Sequence, residues 1–266
     1  VLLEGGNSCI HEHPLAAKIR LAAEQIFHGA GLTAYDEEKR EGLLRHLTVR
    51  VSEYESAAMA IVTVNSESLP DETDIAARFK EAVPELVSLW VNENRGATNV
   101  ILGTESHLIS GSETLCCHLG PARFSISPAS FFQVNTFGAE LLYDTVYRVS
   151  GIGPADNILD LYCGAGTITL MMARHCAHAT GIEIVPDAIR NAKENARRNR
   201  IQNAEFLVGK AETRLVYISC NVATQARDAA LLLTHGYMIE KIQPVDMFPY
   251  TSHVETVCLM SRVEGK

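Results

Sequence analysis

The sequence is short of several features, and each shortage narrows what the chain can be. No apolar run reaches the ~18 residues that a membrane-spanning helix needs, so a helical membrane protein is excluded and no membrane partner is expected. The first residues carry neither the basic segment nor the apolar core of a secretory signal, which makes the cytoplasm the expected compartment. The leading Val1 in place of Met points to a trimmed start. Seven cysteines (Cys9, Cys116, Cys117, Cys163, Cys176, Cys220 and Cys258) are scattered without a C-x-x-C pair. That pattern argues against a zinc or redox centre, and the odd number against a disulfide framework. Positive charge is also scarce: 23 Lys and Arg face 32 Asp and Glu, a formal net charge of -9. A nucleic-acid footprint over the whole surface is thereby disfavoured, while a local one is not. Internal repeats and low-complexity stretches are absent.

What remains is an ordinary globular composition, 47% hydrophobic and 21% charged. At 266 residues the chain exceeds what one hydrophobic core serves, about 250 residues, so two domains are expected. Residues 1–124 read as a smaller α+β domain. A helix over 14–31 places Leu15, Ile19, Ala22, Ala23, Ile26 and Phe27 at helical spacing, and strands are expected at 43–51, 57–64, 86–94 and 100–103, with a helix near 73–83. From about residue 125 strand and helix alternate: helix 136–151, strand 157–162, helix 167–176, strand 178–184, helix 186–200, strand 204–209. This order signals a mostly parallel, doubly wound α/β sheet over 125–266. After a helix at 222–236, strands 237–247 and 255–261 are expected to close it as an antiparallel hairpin.

One join resists this reading. AEFLVG (204–209) and LVYISC (215–220) both look like buried strands, yet only KAETR separates them, where a parallel crossover takes a dozen residues or more. Either the two form an antiparallel hairpin, or a segment is absent near 212–213. Absence is favoured, because a strand and a crossover helix would restore the alternation.

Three stretches carry chemistry. In LDLYCGAGT (159–167) a strand runs into a glycine turn and a helix N-terminus, where ligands of such sheets bind. Thr169 stands where a dinucleotide motif needs its third glycine, while Asp160 precedes the turn and Glu183 ends the next strand. Two acids suit ribose hydroxyls and a cationic sulfonium, hence S-adenosylmethionine; a glycine turn with no ligand is the plainer alternative. In VYISCNVAT (216–224), Cys220 lies between a strand's carboxyl end and a helix N-terminus, a setting that favours a thiolate, with an inert thiol as the alternative. In DMFPYTSHVE (246–255), His253 and Glu255 stand at the start of the last strand, as site groups or as ordinary surface residues.

Taken in order, FFQVN (131–135), LDLYCGAGT, GIE (181–183), YISCNVAT, ARD (226–228) and DMFPYTSHVE resemble the RNA uridine-5-methyltransferase family over essentially the whole chain. Members of that family make 5-methyluridine in transfer RNA or large-subunit ribosomal RNA. The resemblance implies a Rossmann-like class I methyltransferase domain at 125–266, preceded by an RNA-facing α+β domain. It implies S-adenosylmethionine as cofactor, Cys220 as nucleophile and Glu255 as base, with Gln133, Tyr162, Glu183 and, more weakly, Thr167 as cofactor contacts. RNA is the implied partner, 23S rRNA ahead of tRNA, and a monomer is expected. Two rivals stand beside it: a methyltransferase of a small molecule or protein, and a non-catalytic RNA-binding protein on the same fold.

The chain departs from the family in two places. An Asp-Pro-Pro-Arg motif on the strand before the catalytic cysteine is missing, and its place coincides with the short join at 212–213. The small RNA-binding barrel and the cysteine-rich iron-sulfur segment of many relatives are also missing. Cys9 matches the last ligand of that cluster and is read as orphaned, so a cluster is expected only in a longer form of the protein. Arg45, Arg50 and Arg123 are the remaining basic candidates for RNA, while the helix RNAKENARRNR (190–200) reads as a solvated face.

Overall fold

The structure, a computed structural model, describes residues 12–97, 100–133, 135–208, 215–234, 236–247 and 254–262. The short join at 209–214, Cys9, His11 and His253 lie outside the described residues. The chain divides into two compact units, Val1–Cys117 with Ser125–Ala129, and His118–Phe124 with Ser130–Lys266. No helix among the described residues is long and apolar enough to cross a membrane.

In the first unit, α1 (Pro14–Gly29) starts where Nδ1 of His13 accepts from the Leu15 N–H at 3.1 Å, and proline fills its first position. The expected apolar stripe Ile19, Ala22, Ala23, Ile26 and Phe27 is buried. Strands β1 (Leu44–Ser52), β2 (Ala57–Val64), β3 (Leu86–Glu93) and β4 (Glu105–Gly111) form one sheet in the order β1-β2-β3-β4. Helix α2 (Glu72–Ala82) supplies the crossover between β2 and β3, the parallel pair, and the outer pairs are antiparallel. Phe27 and Phe79 lock the two helices together edge to face, 5.8 Å apart.

The expected strand at 100–103 is not one. Side chains outcompete the ladder there: Nδ2 of Asn94 donates to the carbonyls of Val100 (2.6 Å) and Ile101 (3.3 Å), and Oδ1 of Asn92 accepts from the Gly103 N–H at 2.8 Å. The ladder resumes at Glu105, and β4, β5 (Leu115–Leu119) and β6 (Ala122–Ile126) are strands with no counterpart among the expected elements. The first unit also claims two of the basic candidates. Arg45, with a side chain 1% exposed, donates to the carbonyls of Asn94 and Gly96 and lies 4.6 Å over the Tyr35 ring, while Arg50 donates to the Pro128 carbonyl at 2.9 Å. Both are structural groups rather than free surface cations.

The second unit alternates as expected: α3 (Thr136–Ser150), β7 (Asn157–Leu161), α4 (Thr167–Met172), β8 (His178–Glu183), α5 (Pro186–Arg198), β9 (Ala204–Val208), β10 (Leu215–Ser219), α6 (Val222–Thr234), β11 (Tyr237–Val245) and β12 (Glu255–Arg262). Helix α4 stops short of residue 176 because Nδ2 of Asn203 caps the carbonyls of Ala173 (2.7 Å) and Cys176 (3.0 Å). Strands β7, β8 and β9 pair in parallel, and β11 and β12 form the expected antiparallel hairpin. The continuous sheet, however, falls into two three-stranded pieces, β7-β8-β9 and β10-β12-β11. Among the described residues β9 and β10 do not pair, and neither is the buried strand expected: Leu207 and Val208 are 44% and 58% exposed, and Tyr217 and Ile218 are half-buried.

Candidate active site

The glycine turn after β7 is built from main-chain conformations that side chains resist. Gly164 and Gly166 have φ of 54° and 81°, and a Cβ on Gly166 would meet the Phe206 ring at 2.8 Å, so only glycine lets the turn close over β9. Tyr162 takes the same left-handed region at φ 60° without that excuse, and its side chain is 86% exposed at the end of β7. The buried side-chain amide of Asn195 fixes the turn from α5 by donating to the Ala165 carbonyl at 3.1 Å.

Both acids flank this turn. Asp160 accepts from the N–H and the hydroxyl of Thr169, at 3.0 and 2.6 Å, and ties β7 to the first turn of α4. Burial pushes its carboxyl up to about 6, against the pull of those two hydrogen bonds and with a smaller push from Glu183. Glu183 ends β8, where Oε2 accepts from the Gly164 N–H at 3.2 Å and Oε1 from the N–H groups of Ile184 (2.7 Å) and Val185 (3.0 Å). Thr167 opens α4 and shares a hydrogen bond of 3.2 Å with the Tyr143 hydroxyl, a buried phenol pushed up to about 12 mainly by that burial. Exposed Tyr162, Ile184 and Val208 form an apolar rim, one from the carboxyl end of each parallel strand. A close glycine turn, two carboxylates and an apolar rim fit the polar and aromatic parts of an adenosyl group. Gln133 is half-buried in the extended stretch before α3 and makes no hydrogen bond among the described residues.

The sequence S-C-N resolves into a clamp around the cysteine. The Ser219 hydroxyl accepts from the Asn221 N–H and donates to its carbonyl, both at 3.1 Å, while Oδ1 of Asn221 caps α6 by accepting from the Thr224 N–H at 3.0 Å. Cys220, held between them, is exposed, whereas Cys117, Cys163, Cys176 and Cys258 are buried and burial pushes their thiols up, the first two to about 12.

Glu255 begins β12 and is buried at 9% exposure. Strands β10 and β12 run antiparallel with Ser219 opposite Thr256 as their last pair, and Cys220 and Glu255 are the residues next to that pair on the two strands. Glu255 adds a small push to the Tyr143 hydroxyl, after burial and Asp160. Three supporting residues have no clear mark in the sequence: Tyr143, Thr169 and Gln225. The T-x-T spacing after the glycines hints at Thr169; only tertiary packing reveals the others. No set of thiols converges for an iron-sulfur cluster among the described residues.

Comparison with known proteins finds methyltransferases. Residues 152–224 match the family described as a methyltransferase domain, and residues 207–263 the one described as tRNA (uracil-5-)-methyltransferase. An RNA methyltransferase of Caldanaerobacter subterraneus is 34% identical over 97% of this chain, and one of Bacillus cereus is 36% identical over 91%. The chain spans 65% and 61% of their respective lengths. The first match runs over 295 positions against the 266 residues of this chain, so that relative carries at least 29 residues within the matched stretch that this chain lacks. Among solved structures, the Pyrococcus abyssi tRNA (uracil-54, C5)-methyltransferase in complex with S-adenosyl-L-homocysteine aligns with a TM-score of 0.74 at 25% identity, over 96% of this chain and 70% of that one. An alternating α/β unit, a glycine turn flanked by two acids and an exposed cysteine after β10 thus occur in a chain that is similar to RNA methyltransferases and, over residues 207–263, to tRNA (uracil-5-)-methyltransferase.

Proposed function

We propose that the protein methylates carbon 5 of a uridine in RNA, with Cys220 as nucleophile and Glu255 as base. The observation that supports this reading is the β10-β12 pairing, which ends next to an exposed thiol on one strand and a buried carboxylate on the other. Carbon 5 of uracil is a poor nucleophile. The Cys220 sulfur adds to carbon 6, forming a C–S bond and moving electron density to carbon 5. S-adenosylmethionine, when bound, supplies the electrophilic methyl group that carbon 5 accepts. Gln133, Tyr162, Thr167 and Glu183 are the proposed residues that hold it, Tyr162 against the adenosine and Glu183 on the ribose. Glu255 takes the proton from carbon 5, the C5–C6 double bond re-forms, and the C–S bond breaks to release Cys220.

Large-subunit rRNA is the favoured target, because Cys9 matches an iron-sulfur ligand more typical of rRNA-modifying members. The Pyrococcus relative is named for tRNA, so tRNA is the runner-up. We also propose that a strand and crossover helix are absent between β9 and β10. Support comes from the six-residue join, the split sheet and the residues that the Caldanaerobacter relative has in excess. A monomer acting in the cytoplasm is the proposed setting.

The test is Glu255→Gln. With the base removed, a protein-RNA adduct is expected to accumulate on uridine-containing RNA and to run as a shifted band on a denaturing gel. Adding Cys220→Ala is expected to abolish it. No adduct with either protein, together with methylation of a non-RNA substrate, would transfer the reading to the small-molecule or protein class.

A further inference from the structure

Gln225 lies in the first turns of α6, with 4% of its surface exposed. Its Nε2 donates to two main-chain carbonyls on different strands, Tyr217 of β10 at 2.7 Å and Thr256 of β12 at 2.9 Å. Both donors of a neutral amide are thereby used at a buried position, where leaving either carbonyl unmet is costly. The Thr256 carbonyl belongs to the last rung of the β10-β12 ladder, Ser219 opposite Thr256, and the Tyr217 carbonyl to the rung two places before it, Tyr217 opposite Cys258. Beyond that rung the ladder ends, and the next place belongs to Cys220 and Glu255. Ends of ladders open more readily than their middles. Here the end is fastened from above by the helix into which Cys220 leads.

We propose that Gln225 is a positioning residue that fixes the separation between the Cys220 thiol and the Glu255 carboxylate. This rests on the reaction proposed above, in which the two groups work on adjacent carbons of one ring. Addition at carbon 6 needs only the thiol against the uracil. Proton removal needs the carboxylate at carbon 5 while the sulfur is still bonded to carbon 6, so it depends on the spacing of both. Loosening the strand ends therefore penalises the second step more than the first, and a misplacement of about 1 Å is enough for a hundredfold loss.

The spacing is read without RNA by introducing Glu255→Cys into the full chain and following, by mass spectrometry of linked peptides, oxidation of the new sulfur to a disulfide with Cys220. Opposed antiparallel residues are within disulfide range. Linkage is expected, and adding Gln225→Leu is expected to slow it at least tenfold while the circular-dichroism spectrum is kept; equal rates overturn the proposal. The catalytic consequence is read on two RNAs. With 5-fluorouridine RNA there is no proton to remove at carbon 5, so Gln225→Leu is expected to form adduct within about threefold of the unaltered chain. On uridine RNA, turnover is expected to fall tenfold or more. An equal fall on both means that Gln225 serves stability alone and overturns the proposal. If linkage slows as expected but Cys220→Ala leaves methylation intact, the reaction is misassigned and the spacing role stands.

Discussion

In the first unit, β2 is flanked by β1 and β3 and each of its eight residues is buried, whereas in the second unit no residue of β7 is. The two strands differ in composition, AAMAIVTV having one polar residue and NILDL two, Asn157 and Asp160, yet Ile158, Leu159 and Leu161 of the second are also only half-buried. The company they keep differs as well. β2 has a ladder on both edges, and its Ala58, Ala60, Val62 and Val64 join the core that also takes the apolar residues of α1 and α2. β7 pairs only with β8, and its other edge meets no strand among the described residues. Apolar sequence thus marks a place in a sheet, and full burial needs the neighbours to be present. The second unit spends its polar side chains at strand ends, where Asp160, Glu183, Ser219 and Glu255 gather, and leaves its sheet open along one line.

The largest effect that tests this contrast is a pair of truncations in strands. Leu89 in β3 is 1% exposed within the first core, and Leu89→Ala is expected to destabilise by about 2–5 kcal/mol. Ile158 in β7 packs only partly against Ala173, Cys176 and Ala179, and Ile158→Ala is expected to cost less than half as much, because little cavity is left behind. Urea unfolding followed by far-UV circular dichroism measures both. Equal costs would mean that β7 is as enclosed as β3 and that nothing is missing beside it.

The same contrast explains what the sequence discloses. Elements with strong periodicity are legible: α1 with its stripe and proline start, α3 behind its Asn135 cap, the alternation from β7 to β9, and the final hairpin. Glycines and acids locate the turn, since positive φ and close approach to Phe206 leave a mark in residue type. Val100 and Ile101 mislead, because β-branched residues look like a strand wherever they fall, and only the Asn92 and Asn94 side chains, contributed from β3 and the residue just beyond it, decide otherwise. Register is equally invisible. Nothing in residues 215–219 states that β10 lies beside β12, yet that pairing sets Ser219 opposite Thr256, the neighbours of Cys220 and Glu255. Arg45 and Arg50 read as surface cations for the same reason: their acceptors are main-chain carbonyls far away in sequence.

A smaller effect separates the units by pH. The Asp160 carboxyl is raised to about 6 by burial, so the native second unit holds its proton more tightly than the unfolded chain does, whose carboxyl titrates near 4. Its contribution to stability is complete below about pH 4 and is lost as pH rises through about 6. Lowering the pH from 7.5 to 5 is therefore expected to stabilise the protein by about 1 kcal/mol relative to Asp160→Asn, measured by urea titration at both pH values. In the first unit the sign is opposite. Arg20 holds Glu12 low, the Lys39 N–H does the same for Asp36, and Lys18 for Glu85. These groups weaken the fold only as acid protonates them below their ordinary range, as do Glu194 and Asp228 in the second unit; within the window between pH 5 and 7.5 His46, held low mainly by burial, opposes Asp160, and the comparison with Asp160→Asn cancels its share. A flat difference across that window would place the Asp160 carboxyl in water.

The smallest effect concerns α5, which carries the densest positive charge of the second unit. Arg190 pairs with Asp187 and Arg197 with Glu194 one turn away, and both arginine side chains are more than 70% exposed. Partners on the same helix face neutralise the charge locally, so this surface behaves as solvated ion pairs rather than as a track for phosphates. Arg197→Ala is accordingly expected to leave the unfolding midpoint unchanged within error and RNA affinity within about twofold. Filter binding between 50 and 200 mM salt discriminates more sharply than affinity alone, because each phosphate that the protein no longer neutralises flattens the dependence of log affinity on log salt by about 1. A slope unaltered by Arg197→Ala keeps the RNA away from α5. A slope reduced by one unit would make α5 part of the RNA surface in spite of its acidic partners, with Glu194 displaced when RNA binds.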